Sequence, residues 1–235
     1  MTPTGRKPDE GERYQTILET AARLICERGY EGTSMQEIAA ACRMTKAGLY
    51  HHIQNKEQLL FAIMNYGMDV FEEQVLGPVQ DVADPVERLR QCMRHNIHLV
   101  TSGRSKEVII ILHEHATLTG EAREYIDRRK KRYVRFLEDA FAEANRLGRL
   151  RGVVDPTVAA FSFLGMILWV YKWFKPDGRL SEEQIADGMV ELLFPGAALG
   201  ASAAAPSTDD KDAPALRMVP RAASGSSSGS GGEPQ

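Results

Sequence analysis

Apolar residues in this chain recur every three or four positions almost from end to end, and that period constrains its fold more than any other feature. Tyr14, Ile17, Leu18, Ala21, Leu24 and Ile25 form one stripe, closed by Gly29 at the position where helices commonly stop. Met35, Ile38, Ala39 and Cys42 form the next, with Thr33 ahead of them and Gln36 three residues on, a capping-box spacing. A short helix is expected over residues 45–52, and Asn55 reads as the N-cap of a long helix reaching Phe71. Further helices fit residues 85–100, 105–117, 121–145, 156–174 and 181–193, with Pro85 and Pro156 where a first turn tolerates proline. No segment reads as a strand and no internal repeat stands out. The expected class is all-α: an N-terminal three-helix helix-turn-helix unit followed by a larger helical bundle.

Composition narrows the function. The chain of 235 residues is 43% hydrophobic and carries a net charge of −3, so nothing global pulls it toward nucleic acid or a membrane. Cys26, Cys42 and Cys92 lie far apart with no paired spacing, which argues against a disulfide scaffold or a zinc ribbon. The uncharged, largely apolar stretch Pro156 to Tyr171 is shorter than the ~20 residues that span a bilayer. The N-terminal residues lack the apolar core of a secretion signal. These features predict a cytoplasmic protein without a membrane partner. Residues 1–10 are expected to form a flexible arm. Residues 196–235, rich in Ala, Ser, Gly and Pro, are too poor in apolar surface to order themselves and are expected to form a disordered tail.

The informative stretch is Thr33 to Leu60. Two helices joined through Cys42-Arg43-Met44 must cross steeply, which holds the second one outward in the manner of a helix entering a DNA major groove. Leu49 and Ile53 are expected to face inward, while Thr45, Lys46, Gly48, Tyr50, His51 and His52 are small, hydroxyl-bearing or basic. Residues 1–57 hold eight Lys or Arg against eight Asp or Glu, so charge alone leaves a generic surface helix open.

The run TSMQEIAAACRMTKAGLYHHIQNKEQLL, from Thr33 to Leu60, resembles the DNA-binding domain of TetR-family transcriptional regulators. That resemblance implies a homodimer on an inverted-repeat DNA operator, with a DNA-binding domain over 11–57 and a ligand-binding and dimerisation domain over 58–195. It places Thr33, Thr45, Tyr50 and Lys56 on phosphates and turns Lys46, Ala47, Gly48 and His51 toward the groove. Two positions depart from the family. Arg43 stands where glycine is common, which predicts a left-handed backbone at a cost of ~1 kcal/mol and a further DNA contact. Ile53 stands where phenylalanine is common.

Residues 156–174 are apolar nearly all round, as in a helix buried on every side. Phe161, Leu164, Leu168, Ile185, Met189 and Leu192 are the expected dimer surface, and Phe163, Met166, Trp169 and Trp173 the expected walls of a ligand pocket. The segment RRKKRYVR, residues 128–135, holds six basic residues in eight. It reads either as a solvated face or as a cationic mouth, with Arg129 and Lys130 at the rim and Tyr133 on the apolar side. Residues 169–194 are similar to the ends of TetR-family repressors of fatty-acid, steroid and branched-chain catabolism, which implies an acyl-CoA thioester effector. A multidrug-sensing repressor of an efflux pump is the alternative within the family.

A helical metal-dependent enzyme is the distant alternative. His113-Glu114-His115 lacks the second histidine of an HExxH motif, since position 117 is Thr117, and histidines two apart on a helix point ~200° apart. No catalytic residues, metal site or cofactor is expected.

Overall fold

The computed structural model describes residues 10–102, 106–150 and 154–194, and within them the chain is helical with no strand. The helices are α1 (Glu10–Arg28), α2 (Met35–Ala41), α3 (Lys46–His52), α4 (Lys56–Phe71), α5 (Pro85–Thr101), α6 (Lys106–His113), α7 (Gly120–Arg146), α8 (Pro156–Trp173) and α9 (Glu182–Leu193). The expected tail and nearly all of the expected arm lie outside the described residues; Glu10 already belongs to α1. α4 runs on into a π-helical turn at Glu72–Leu76 and a 3-10 turn at Gly77–Val79, which the periodicity did not signal. The helix expected over 105–117 stops at His113 and re-forms as a 3-10 turn, His115–Thr117.

Local chemistry sets most of the boundaries. Asp84, Asp155, Ser181, Thr45 and Asn55 each accept backbone N–H bonds from the first turn that follows them. The start of α2 corrects the sequence reading. Ser34, not Thr33, is the N-cap, and Glu37, not Gln36, closes the capping box. Thr33 is drawn inward instead: it is buried, and its hydroxyl donates to the Gly29 carbonyl at 2.9 Å.

The end of α2 bears out the expectation for Arg43. Its φ of 55° is left-handed, its N–H donates to the Ala40 carbonyl, and the Met44 N–H donates to Ala39. This is the two-bond Schellman closure of a helix. α7 ends the same way, with Gly148 at φ 63° in the corresponding place. Glycine adopts that backbone freely; arginine does so at a cost.

α1 packs on α2, α4 and α6, and α3 packs on α2. α5 is the hub of the remainder, in contact with α7, α8 and α9. Leu89, Met93, Leu137, Phe141, Phe163 and Ile167 are fully or almost fully buried there, each stabilising the fold by ~1.5–3 kcal/mol. The Phe141 ring lies edge-on to Phe163 and stacked on Phe194. Arg94 pairs with Asp187 at 2.8 Å, and His98 lies 2.8 Å from Glu182, so polar contacts also tie α5 to α9. No described helix is long and apolar enough to cross a membrane.

Candidate DNA-binding surface and interior cavity

α3 is built to present one face. Leu49 and Ile53 are buried, which anchors the helix to α2, while Lys46, Ala47, Tyr50 and His51 are exposed. Thr45 accepts the Gly48 N–H at 3.0 Å through its side-chain oxygen, so its hydroxyl proton stays free for a phosphate. A Cβ at Gly48 would lie 3.2 Å from that same oxygen, so a side chain there would press on the cap. The Lys46 ammonium sits 5.8 Å from the centre of the Tyr50 ring. Lys56, the first residue of α4, lies over the Tyr30 ring at 4.1 Å, beside the free N–H groups of a helix start. These residues and Arg43 belong to one turn, one short helix and the next helix's first turn. Thr33 does not join them: its hydroxyl is committed to Gly29, so its side chain cannot reach a phosphate.

The second site is an apolar cavity of about 130 Å³ between α4, α5, α6, α7 and α8. Met68 and Phe71 come from α4, Asn96, Leu99 and Val100 from α5, and Val108 and Ile111 from α6. Lys130, Tyr133 and Val134 of α7 and Leu164 and Leu168 of α8 close it. Lys130 is partly buried at the wall, and burial lowers its pKa from the usual lysine value. A larger cleft of about 600 Å³ between α1, α4 and α6 is polar, its walls mixing Glu19 and Glu107 with Arg23 and Lys106. Burial raises the Glu107 carboxyl above the usual range.

Several expected pocket and interface residues stand elsewhere. Arg129 is not a free cation at a mouth: its guanidinium pairs with Asp69 at 2.7 Å and Glu72 at 3.0 Å and donates to Asn65 Oδ1 at 2.8 Å. Burial alone would raise the Glu72 carboxyl, but hydrogen bonds from Arg129 and Arg132 hold it below its ordinary value. Phe163 points into the core against Phe141. Met166 is partly exposed and Trp169 and Trp173 are exposed, at 65% and 44% for the tryptophans, so none of the three lines the cavity.

Leu164 and Leu168, expected at a dimer surface, line the cavity instead. Ile185 is buried under α5, and Met189 packs partly buried on the core. Phe161 at 58% and Leu192 at 76% are exposed as a partner-facing surface requires, joined by Val158 and Trp169 on the same face of α8.

The residues that the sequence reading missed are the cavity walls from α4, α5 and α6. Their apolar spacing is that of ordinary core. Asn96 alone carried a signal, as a polar residue inside the apolar stripe of α5. Among the described residues no three His, Cys, Asp or Glu groups converge as a metal ion would need.

Comparison with known proteins agrees with this geometry. The family model for bacterial regulatory proteins of the tetR family matches residues 17–63, and that for the tetracyclin repressor-like C-terminal domain matches residues 82–197. A crystal structure of AibR in complex with isovaleryl coenzyme A and operator DNA is 81% identical, with a TM-score of 0.75 over 78% of this chain and 99% of that one. The transcriptional repressor KstR2 of Mycobacterium tuberculosis is 25% identical over 78% of this chain and 92% of its own length. The fatty acid metabolism regulator protein of Bacillus subtilis is 23% identical over 78% and 95%. An outward-facing α3, an apolar cavity among α4 to α8 and two family matches across most of the described residues lead to one assignment: the chain belongs to the TetR family of bacterial transcriptional regulators.

Proposed function

We propose that this chain is a transcriptional repressor that binds an inverted-repeat operator as a homodimer and is released by a short, branched acyl-CoA thioester. The domain bearing α1 to α3, residues 11–57, reads DNA; residues 58–195 bind the effector and the second subunit. The work is done in the cytoplasm, as regulation rather than catalysis. One helix-turn-helix reads too few base pairs to select a site, and the exposed Phe161, Trp169 and Leu192 supply a surface through which two copies pair.

The observation that carries the effector reading is the size and character of the cavity. A small cavity walled mainly by Leu, Val, Ile, Met and Phe side chains suits a short branched acyl chain such as isovaleryl. AibR, 81% identical, was crystallised with that thioester. The remainder of coenzyme A must then lie outside, where Lys130 at the wall and the exposed Arg128, Lys131 and Arg135 of α7 offer cations to its phosphates. A lipophilic cation, the ligand of a multidrug sensor, would meet Lys130 on entry and be repelled.

Ligand moves the equilibrium only by its differential affinity for the two states. Derepression of ~100-fold therefore needs a coupling of about 2.7 kcal/mol. Calorimetric titration of the full-length protein with isovaleryl-CoA, palmitoyl-CoA, free CoA and a cationic dye tests the effector. Footprinting of the DNA upstream of its own gene, with and without isovaleryl-CoA, tests the operator. Tight binding of isovaleryl-CoA alone, together with a protected inverted repeat that the ligand abolishes, is the expected result. Preference for the dye, or the absence of any protected repeat, would overturn the assignment.

A further inference from the structure

The cavity is apolar except at Lys130 and at Asn96 and Tyr133 on its α5–α7 wall, which form a cluster with Cys92, itself outside the lining. There the Asn96 side-chain amide donates to the Tyr133 hydroxyl oxygen at 2.8 Å and to the Cys92 carbonyl at 2.8 Å. Cys92 Sγ lies 3.3 Å from the same hydroxyl. Phe71, edge-on at 4.6 Å, and Phe136, stacked at 6.4 Å, hold the Tyr133 ring in place. All three members of the cluster are buried.

The hydrogen-bond inventory of this cluster is uneven. The Asn96 amide donates at 2.8 Å to two good oxygen acceptors, one of them the phenolic oxygen, and has a longer contact of 3.5 Å with Cys92 Sγ. With its oxygen accepting from Asn96, the phenolic group has Cys92 Sγ as the neighbour for its proton, and sulfur is a weak acceptor. Burial raises the Tyr133 pKa well above its ordinary value, so the group remains a neutral donor at every working pH. A donor on a rigidly held wall residue of an apolar cavity, facing a poor partner, is set to exchange that partner for a better acceptor.

Resting on the acyl-CoA reading above, we propose that the Tyr133 hydroxyl, oriented by Asn96, donates a hydrogen bond to the thioester carbonyl oxygen of the bound effector, giving up its contact with Cys92 Sγ. The cavity then reads two properties of the ligand separately. Its apolar walls measure the chain, and Tyr133 verifies that the chain is joined through a carbonyl. Lys130, one turn earlier on α7, contributes charge toward the phosphates and does not discriminate at the carbonyl.

Calorimetry with two ligands tests this: isovaleryl-CoA and S-(3-methylbutyl)-CoA, the thioether in which CH₂ replaces the carbonyl. The wild-type dimer is expected to prefer the thioester by roughly tenfold. Tyr133→Phe should bring the two affinities together while binding the thioether as the wild type does, which also shows that the variant is folded. Lys130→Met should weaken both ligands and keep their ratio.

A Tyr133→Phe variant that weakens both ligands equally, or neither, overturns the proposal while leaving the acyl-CoA reading intact. Failure of the wild type to bind either ligand overturns both. Infrared spectroscopy of carbonyl-labelled isovaleryl-CoA on the wild-type protein gives a check that needs no variant. A carbonyl stretch lowered on binding supports the bond, and one left at its value in an apolar solvent overturns it.

Discussion

The Glu114 carboxylate accepts the backbone N–H of Tyr30 at 3.2 Å. Glu114 directly follows α6, whose Val108 and Ile111 line the cavity, and Tyr30 lies in the loop before α2 with its ring under Lys56. One hydrogen bond therefore joins a wall of the chamber to the base of the DNA-reading unit. Glu114→Ala is expected to weaken the communication between them by ~1 kcal/mol. The ratio of operator affinities without and with saturating isovaleryl-CoA should fall about fivefold, and by reciprocity the operator should affect ligand affinity less by the same factor. Gel-shift titrations at two ligand concentrations check this; an unchanged ratio would show that the bond carries no coupling.

Arg43 holds a left-handed backbone that glycine would adopt without strain. Arg43→Gly is expected to stabilise the fold by roughly 0.5–1 kcal/mol after allowing for glycine's freedom in the unfolded chain, a rise in Tm of ~2–4 °C at most for a chain of this size. The same change should weaken operator binding and lower its salt slope by about one if the guanidinium meets a phosphate. Thermal melts and binding at several salt concentrations would separate the two effects.

Arg129 bridges α7 to the end of α4 through Asp69 and Glu72, with only 10% of its side chain exposed. Arg129→Ala is expected to cost about 1–2 kcal/mol at pH 7, less than a fully buried pair because Asp69 is more than half exposed. The folded Glu72 pKa is depressed, so its contribution is complete above the ordinary carboxylate range and fades as pH falls through the folded value. The Tm gap between wild type and Arg129→Ala should accordingly narrow on acidification. A gap that widened toward low pH would sink this account.

Phe161 and Trp169 are exposed on one face of α8. Phe161→Glu combined with Trp169→Glu should halve the mass seen by sedimentation equilibrium and abolish operator binding. Thermal stability of the subunit should change by no more than ~0.5 kcal/mol, since neither side chain is buried within it. A monomer that still protected an inverted repeat would rule out pairing through this face.

Much of the helical framework was legible because capping residues and apolar spacing are local properties. Pro85, Pro156 and Ser181 announced three helix starts, and the short α3 was placed within a residue. The start of α2 was off by one because Thr33-Ser34 and Gln36-Glu37 offer two overlapping cap boxes, and only the burial of Thr33, whose hydroxyl turns back to the Gly29 carbonyl, decides between them. The sides of α8 were illegible for a different reason. A helix apolar all round has no preferred direction, so its spacing could not say that Phe163 meets the core, Leu164 and Leu168 the chamber, and Phe161 and Trp169 the outside. Arg129 was misread because its acidic partners lie about sixty residues away, on and just beyond α4.

α8 thus carries two duties within little more than two turns. Leu164 and Leu168 touch whatever fills the chamber, while Phe161 and Trp169, three residues before the first and one after the second, look outward. Tailoring the walls to a bulkier chain would swing those aromatic side chains as well, so the taste of this protein and its ability to find its twin are mechanically bound to evolve together.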